Sequence, residues 1–265
     1  MPKVKKRIIP IILYDGKTVI KGKNFNNDRT IGSVEAVANL YSRRNPDEIA
    51  FLDVTATHEK RSPNFEIFKY FADKFDIPFA VGGGISSLDD AKKCLSSGAE
   101  KVIIGSALIE NGGLIQKLSG ALGSQAIVAS VDYRSDNSLV YSHSGRTITN
   151  IDVLTHVVEV QELGAGEILL QDISRDGTLK GLDLKTIKAV HNLTTVPLIV
   201  AGGVGNPEHF REAFEIGVSG VGAGAIFQFT KFTPNMVAED LKHQGFDVRT
   251  QNYHNPSLFT ERSNT

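Results

Sequence analysis

Short apolar runs, rich in Val and Ile, alternate along the chain with longer stretches whose apolar positions recur at helical spacing. Eight runs stand out: RIIPIIL, IAFLDV, PFAVGG, KVIIG, AIVASVD, EILLQD, PLIVAGG and GVGAG. Each is apolar along most of its length, so both faces of each predicted strand are covered, as in parallel sheets flanked by helices. Strand and helix alternating eight times in about 250 residues predict an α/β chain folded as a (β/α)8 TIM barrel.

The pattern also repeats. At a constant offset of 119 residues, Glu48 matches Glu167, Asp53 matches Asp172, and Pro78 matches Pro197. Gly83 and Gly84 match Gly202 and Gly203, Gly98 matches Gly217, and Gly105 matches Gly224. The patterning within each half argues against two separate domains. It predicts one barrel, residues 1–250, built of two (β/α)4 half-barrels at about 5–123 and 124–245. Residues 251–265 are polar and aperiodic and read as a loose tail. One position breaks the symmetry. RIIPIIL overlays AIVASVD, so the second half ends a strand on Asp132 where the first has Leu13.

The predicted first strand, 7–13, is followed by a connection over 14–29 that carries Asp15-Gly16 and KGKNF. A connection of this length in a compact barrel is expected to be a mobile lid or binding loop. A helix is expected at 32–43 and a strand at 48–54, with a polar loop at 55–61. Ser87 is placed to cap a helix beginning at Leu88, and Asn206 and Pro207 open a later one. After Asp132 an insert over 134–147 reads as a small hairpin turning at Ser135-Asp136-Asn137.

Composition narrows the function. The formal net charge is −1 with both signs mixed, which gives no reason to expect a nucleic-acid or anionic-membrane surface. The basic start, 1–7, precedes too few apolar residues for a signal peptide, and no run reaches the roughly 20 needed to span a bilayer. The single Cys94 suits a reducing cytoplasm and reads as a packing residue. Seven histidines show no HExxH spacing and no Cys partner, so no metal is expected, and His58, near the barrel mouth, is the one to watch. No P-loop or nucleophile elbow is present, and no cofactor is expected.

In this architecture the loops at the carboxyl ends of the strands build the active site. Gly83 and Gly84 with Gly105 and Ser106 bring bare backbone to the tops of adjacent strands, and Gly202 and Gly203 with Gly224 and Ala225 do the same across the mouth. Gly177 lies in the loop beside the second group. Two such cradles imply a ligand with a phosphate at each end, the alternative being that the glycines only permit tight turns. Asp132 ends a strand at the asymmetric position and is the foremost acid–base candidate. Asp53 reads as a structural hydrogen-bond acceptor; Asp172 and Asp176 are either loop caps or acid–base groups. At the amino ends, Arg7, Glu48, Lys101 and Glu167 each begin a strand and are placed to form a ring of alternating charge. On the residues alone, that ring reads as a salt-bridge cluster serving stability.

These segments, with IKGKNF, FLDVTATHEKR, GAGEILLQDISRDGT and PLIVAGGVGNPEHFREAFEIG, resemble the cyclase subunit of imidazole glycerol phosphate synthase, the HisF family, over about residues 5–250. The resemblance implies a barrel of two half-barrels that takes ammonia from a glutaminase subunit docked at its N-terminal face. The ammonia acts on a bis-phosphorylated substrate, releasing imidazole glycerol phosphate and an aminoimidazole carboxamide ribotide. It implies that Asp132 is one of two catalytic aspartates, that Lys21 closes over substrate, and that Arg7, Glu48, Lys101 and Glu167 form the ammonia gate. The chain also departs from the family. The second catalytic aspartate falls on Leu13, which leaves Tyr14 or Asp15 as replacements if the shortened turn re-aims them. Gly105 and Ala225 stand where polar phosphate contacts are usual, and Gln171-Asp172 replaces a smaller Thr-Ser pair. The expected function is therefore a HisF-like subunit that keeps its ammonia route but uses or passes the ammonia to a different acceptor, a phosphorylated ribotide or sugar-pathway intermediate, with impaired imidazole glycerol phosphate synthesis. The alternatives are a genuine cyclase in which Asp132 works with Asp15 or Asp176, and a non-catalytic scaffold that activates a glutaminase.

Overall fold

The structure, a computed structural model, describes residues 5–26, 29–44, 46–74 and 77–250. The expected tail at 251–265 lies outside the described residues. The first half runs β1 (Arg7–Tyr14), β2 (Val19–Ile20), β3 (Thr30–Gly32), α1 (Val34–Arg44), β4 (Ile49–Asp53), α2 (Phe65–Ala72), β5 (Phe79–Gly82), α3 (Leu88–Ser96), β6 (Lys101–Ile104), α4 (Ser106–Glu110) and α5 (Leu114–Leu122). The second runs β7 (Ile127–Tyr133), β8 (Leu139–Ser142), β9 (Thr147–Asp152), α6 (Val153–Glu162), β10 (Glu167–Asp172), α7 (Leu184–Leu193), β11 (Leu198–Ala201), α8 (Pro207–Ile216), β12 (Gly220–Ala223), α9 (Ala225–Phe229) and α10 (Pro234–His243). Strands β1, β4, β5, β6, β7, β10, β11 and β12 pair in parallel and in that order, and β12 returns to β1. The ring closes the (β/α)8 barrel that the apolar runs predict.

Because side chains alternate across a strand, the barrel sorts its core into two layers. Ile9, Ile11, Leu13, Ala50, Ala80, Ile103, Val128, Leu169 and Ile199 fill the interior. Ile8, Ile12, Phe51, Val81, Ile104, Val131, Leu170 and Val200 face outward and are buried under the helices. Capping follows the sequence: the Ser87 hydroxyl accepts from the Asp90 N–H at 3.1 Å, and Asn206 accepts from the His209 N–H at 3.2 Å. Cys94 is fully buried in α3, and burial pushes its thiol up to about 12, which leaves it inert.

The 14–29 connection is not the free lid the sequence suggests. β1 continues past β12, which pairs only with Arg7 to Pro10, so its last residues expose backbone groups. β2 satisfies them antiparallel, Leu13 opposite Ile20 and Tyr14 opposite Val19, and β3 adds to β2. The rest is docked across the barrel mouth. The Asn24 N–H donates to the Asp176 carbonyl at 2.8 Å, and the Asn24 side chain donates to the carbonyls of Ile173 and Ser174.

The 134–147 insert is a hairpin as expected, but it extends further. β8 pairs with the overhanging end of β7, Asp132 opposite Tyr141, and β9 continues to Asp152 after a turn at His143–Arg146. The repeat thus reaches beyond the barrel. Each half carries an antiparallel ribbon on its overlong first strand, the second merely longer and easier to see in the sequence.

Candidate active site

Strand parity decides which polar residues enter the barrel. Arg7, Glu48, Lys101 and Glu167 share the inward parity with Leu13, Leu52, Gly105 and Gln171 at the other ends of the same strands, and Asp132 shares the inward parity of Val128. Asp53 and Asp172 have the outward parity, and their contacts are structural. Arg61 grips Asp53 with two hydrogen bonds of 2.6 and 2.7 Å, and the Ala56 N–H adds a third at 3.2 Å. Asp172 accepts from the Ser174 N–H at 2.9 Å and the Ser135 N–H at 3.4 Å, and Arg175 approaches at 3.5 Å. Asp53 is 1% exposed, and removing its charge leaves Arg61 with only Glu59 and Thr55 as hydrogen-bond partners. Asp53→Asn is expected to lower stability by about 2–3 kcal/mol, read as a fall in melting temperature of roughly 5–10 °C.

At the carboxyl ends the two predicted cradles form, but they are not alike. The first opens on a cavity of about 630 Å³ that contains Gly83, Gly84, Gly105 and Ser106, with Asp132 and Leu13 in its wall. Gly83 has φ +97°, and a Cβ there would stand 1.9 Å from the Asp53 carbonyl oxygen, so only glycine fits this turn. The β8–β9 turn covers one side. The His143 N–H donates to the Ser106 hydroxyl at 2.7 Å, His143 Nε2 lies 3.1 Å from Glu110, and Ser144, Arg146 and Thr147 join the lining. Sequence reading did not assign these four residues to the site. The available signal was position, since the insert follows directly on the strand that carries Asp132. His58 also lines this cavity, and its Nδ1 is buried without a hydrogen bond.

The second cradle gathers Gly177, Gly202, Gly203, Gly224 and Ala225, as predicted, with Lys21 and Asp176. It holds a space of only about 10 Å³. Lys21, 3% exposed, reaches both oxygens of Asp176 at 2.8 and 2.7 Å. The three predicted catalytic residues are thus divided, Asp132 in the large compartment and Lys21 and Asp176 in the small one, with Gln171 lining both.

Neither neighbour of Leu13 points into the barrel. Tyr14 points outward, stacked on Phe51 with ring centroids 5.7 Å apart, and its hydroxyl accepts from Asn64 at 3.4 Å. Asp15 caps its own turn, accepting from the N–H groups of Lys17 and Thr18 at 2.9 and 2.7 Å. The inward position stays Leu13, which exchanges no proton.

Asp132 is set for proton transfer. Burial pushes its carboxyl up to about 6, against a 3.0 Å hydrogen bond from Ser130, and nearby Asp176 adds to the rise. Unfolded, the group titrates near 3.8. Between these values the folded chain holds a proton that the unfolded chain releases, so stability falls as pH rises through that window. At pH 7.5, Asp132→Asn should be more stable than the native chain by on the order of 2–3 kcal/mol, a difference that vanishes below pH 4. Melting curves at the two pH values check both sign and window.

At the amino ends the four charges close the barrel floor. Arg7 bonds Glu48 at 2.7 Å and also bonds Glu167; Lys101 bonds Glu167 at 2.6 Å and lies 3.7 Å from Glu48. Above the ring, Glu48, Ile9, Ile11, Val128 and Leu169 border an interior void of about 10 Å³.

A barrel with an acid-bearing cavity at the carboxyl ends of its strands and a sealed floor at the other end is the layout of a barrel enzyme. Residues 7–233 match the histidine biosynthesis protein family. The chain is 40% identical over 248 residues to the imidazole glycerol phosphate synthase subunit HisF of Thermotoga sp. (strain RQ2), covering 93% of this chain and 98% of that one. It is 40% identical over 250 residues to the subunit of the same name from Streptococcus mutans serotype c, covering 93% and 100%. The chain belongs to the HisF family of imidazole glycerol phosphate synthase cyclase subunits, which are lyase-type enzymes. Among the described residues no helix is long and apolar enough to cross a membrane.

Proposed function

We propose that this chain is a HisF-like synthase subunit that receives ammonia from a glutaminase partner and delivers it to a phosphorylated acceptor, with little capacity to form imidazole glycerol phosphate. The observation that carries this reading is Leu13 in the barrel wall opposite the repeat-related Asp132, with Tyr14 and Asp15 both committed elsewhere. The glutaminase docks at the amino-end face, where Arg7, Glu48, Lys101 and Glu167 act as the gate. Their side chains are 5–24% exposed, so ammonia passes only as pairs in the ring part, and the apolar void above admits a small neutral molecule.

At the other end the first cradle holds the acceptor by a phosphate. The nitrogen lone pair forms a bond to an electrophilic carbonyl carbon. Asp132, ionised above about pH 6, takes in turn the two protons that the new nitrogen centre sheds and passes each to the former carbonyl oxygen, which leaves as water as the C=N bond forms. A genuine cyclase with a bis-phosphorylated substrate would also need the second cradle, which means breaking the buried Lys21–Asp176 pair on binding.

Ligand binding separates both enzyme readings from a scaffold that only activates a glutaminase. Inorganic phosphate at millimolar concentration should raise the melting temperature by a few degrees, as any ligand of the folded state does. No shift with any phosphate would contradict an enzymatic role.

A further inference from the structure

Gln171 is a polar side chain that the fold buries between the two compartments. It is 3% exposed, pairs in register with Asp132 across β10 and β7, and lines both compartments. Among the described residues its amide makes no hydrogen bond. Its amide opens onto both compartments, where a ligand hydroxyl can take the place of water as its hydrogen-bond partner. Its reach also walls the large compartment from the small one.

The charges on the two sides differ in the same sense. In the small compartment the charged residues are Lys21 and Asp176, each neutralising the other in a space that takes one water-sized particle. A phosphate does not fit there while the pair stands. At the rim of the large compartment, Lys60 and Arg146 are exposed cations with no ion pair among the described residues. Among the described residues, cations without an ion pair stand at the large compartment alone.

We propose that the acceptor is a polyhydroxylated monophosphate: its single phosphate lies in the large compartment against Gly84 and Ser106, and its neutral hydroxyl-bearing part hydrogen-bonds Gln171 beside Asp132. This rests on the functional reading above and narrows it, because a molecule with a phosphate at each end would have to break the Lys21–Asp176 pair to bind. An amide suits this partner. It donates and accepts at once, as a hydroxyl does, and carries no charge to repel Asp132 or attract a second anion.

Equilibrium dialysis of the full-length chain with radiolabelled inorganic phosphate should saturate at one phosphate per chain. Ribose 5-phosphate, as the probe, should displace it at about tenfold lower concentration than inorganic phosphate does, the worth of one or two added hydrogen bonds. Gln171→Leu, close in volume and unable to hydrogen-bond, should remove that advantage while changing inorganic phosphate binding less than twofold. Two phosphates per chain in the native protein would overturn the inference and leave the proposed function standing, as would an unchanged ribose 5-phosphate affinity in Gln171→Leu. No bound phosphate in any form overturns both together.

Discussion

Leu13→Asp should raise ammonia-dependent formation of imidazole glycerol phosphate by about two orders of magnitude, the size of a restored general acid or base. Leu13 and Asp132 hold equivalent places in the two half-barrels, both on the inward face and both in the wall of the large cavity. A carboxyl at 13 would therefore point at the same space as Asp132 from the opposite side, as acid and base on two sides of one reacting centre must. The new group would be nearly buried, since Leu13 is 4% exposed, and stability should fall by about 2–4 kcal/mol through lost apolar burial and a desolvated acid. Activity rising while stability falls is the diagnostic combination. A variant that folds, binds phosphate and gains nothing would show that a residue other than 13 limits the reaction.

The second large effect is expected at the barrel floor. Glu167 bonds both Arg7 and Lys101, so Glu167→Ala leaves two cations facing each other with Glu48 as their only partner in the ring. The cations are 20% and 24% exposed, which places the cost below that of a fully buried pair, at about 2–3 kcal/mol or roughly 5–10 °C of melting temperature. Function should split. In the Leu13→Asp background, where product can be measured, turnover with ammonium salts should change less than threefold, because free ammonia reaches the cavity from its open mouth. Turnover with glutamine and the partner should fall at least tenfold, because that nitrogen must cross the floor. Equal losses with both nitrogen sources would return the ring to a purely structural role.

The barrel was legible in the sequence because continuous apolar runs and the 119-residue offset both report two-sided burial in a repeated unit. The floor ring was legible for the same reason, since parity fixes Arg7, Glu48, Lys101 and Glu167 on one face of their strands. Parity also separates Asp132 from Asp53 and Asp172, which composition at a strand end does not distinguish. Three features lay out of reach. That β1 and β7 overhang their neighbours depends on strand lengths in the closed barrel, so the 14–29 segment read as a free loop when it is a docked ribbon. The inequality of the cradles depends on where Lys21 comes to rest, 155 residues from its partner Asp176. The shelter given by the His143 turn depends on the direction in which a hairpin folds back, which alternation alone does not set.

The central claim is that the missing inward carboxylate at position 13 disables the family's cyclisation while the ammonia route and the first cradle persist. It is tested most directly by supplying the native chain with saturating ammonium salt and the bis-phosphorylated substrate of the HisF reaction, and measuring imidazole glycerol phosphate. The account predicts a rate at least about 100-fold below that of Leu13→Asp under the same conditions. A native rate equal to that of Leu13→Asp would contradict it.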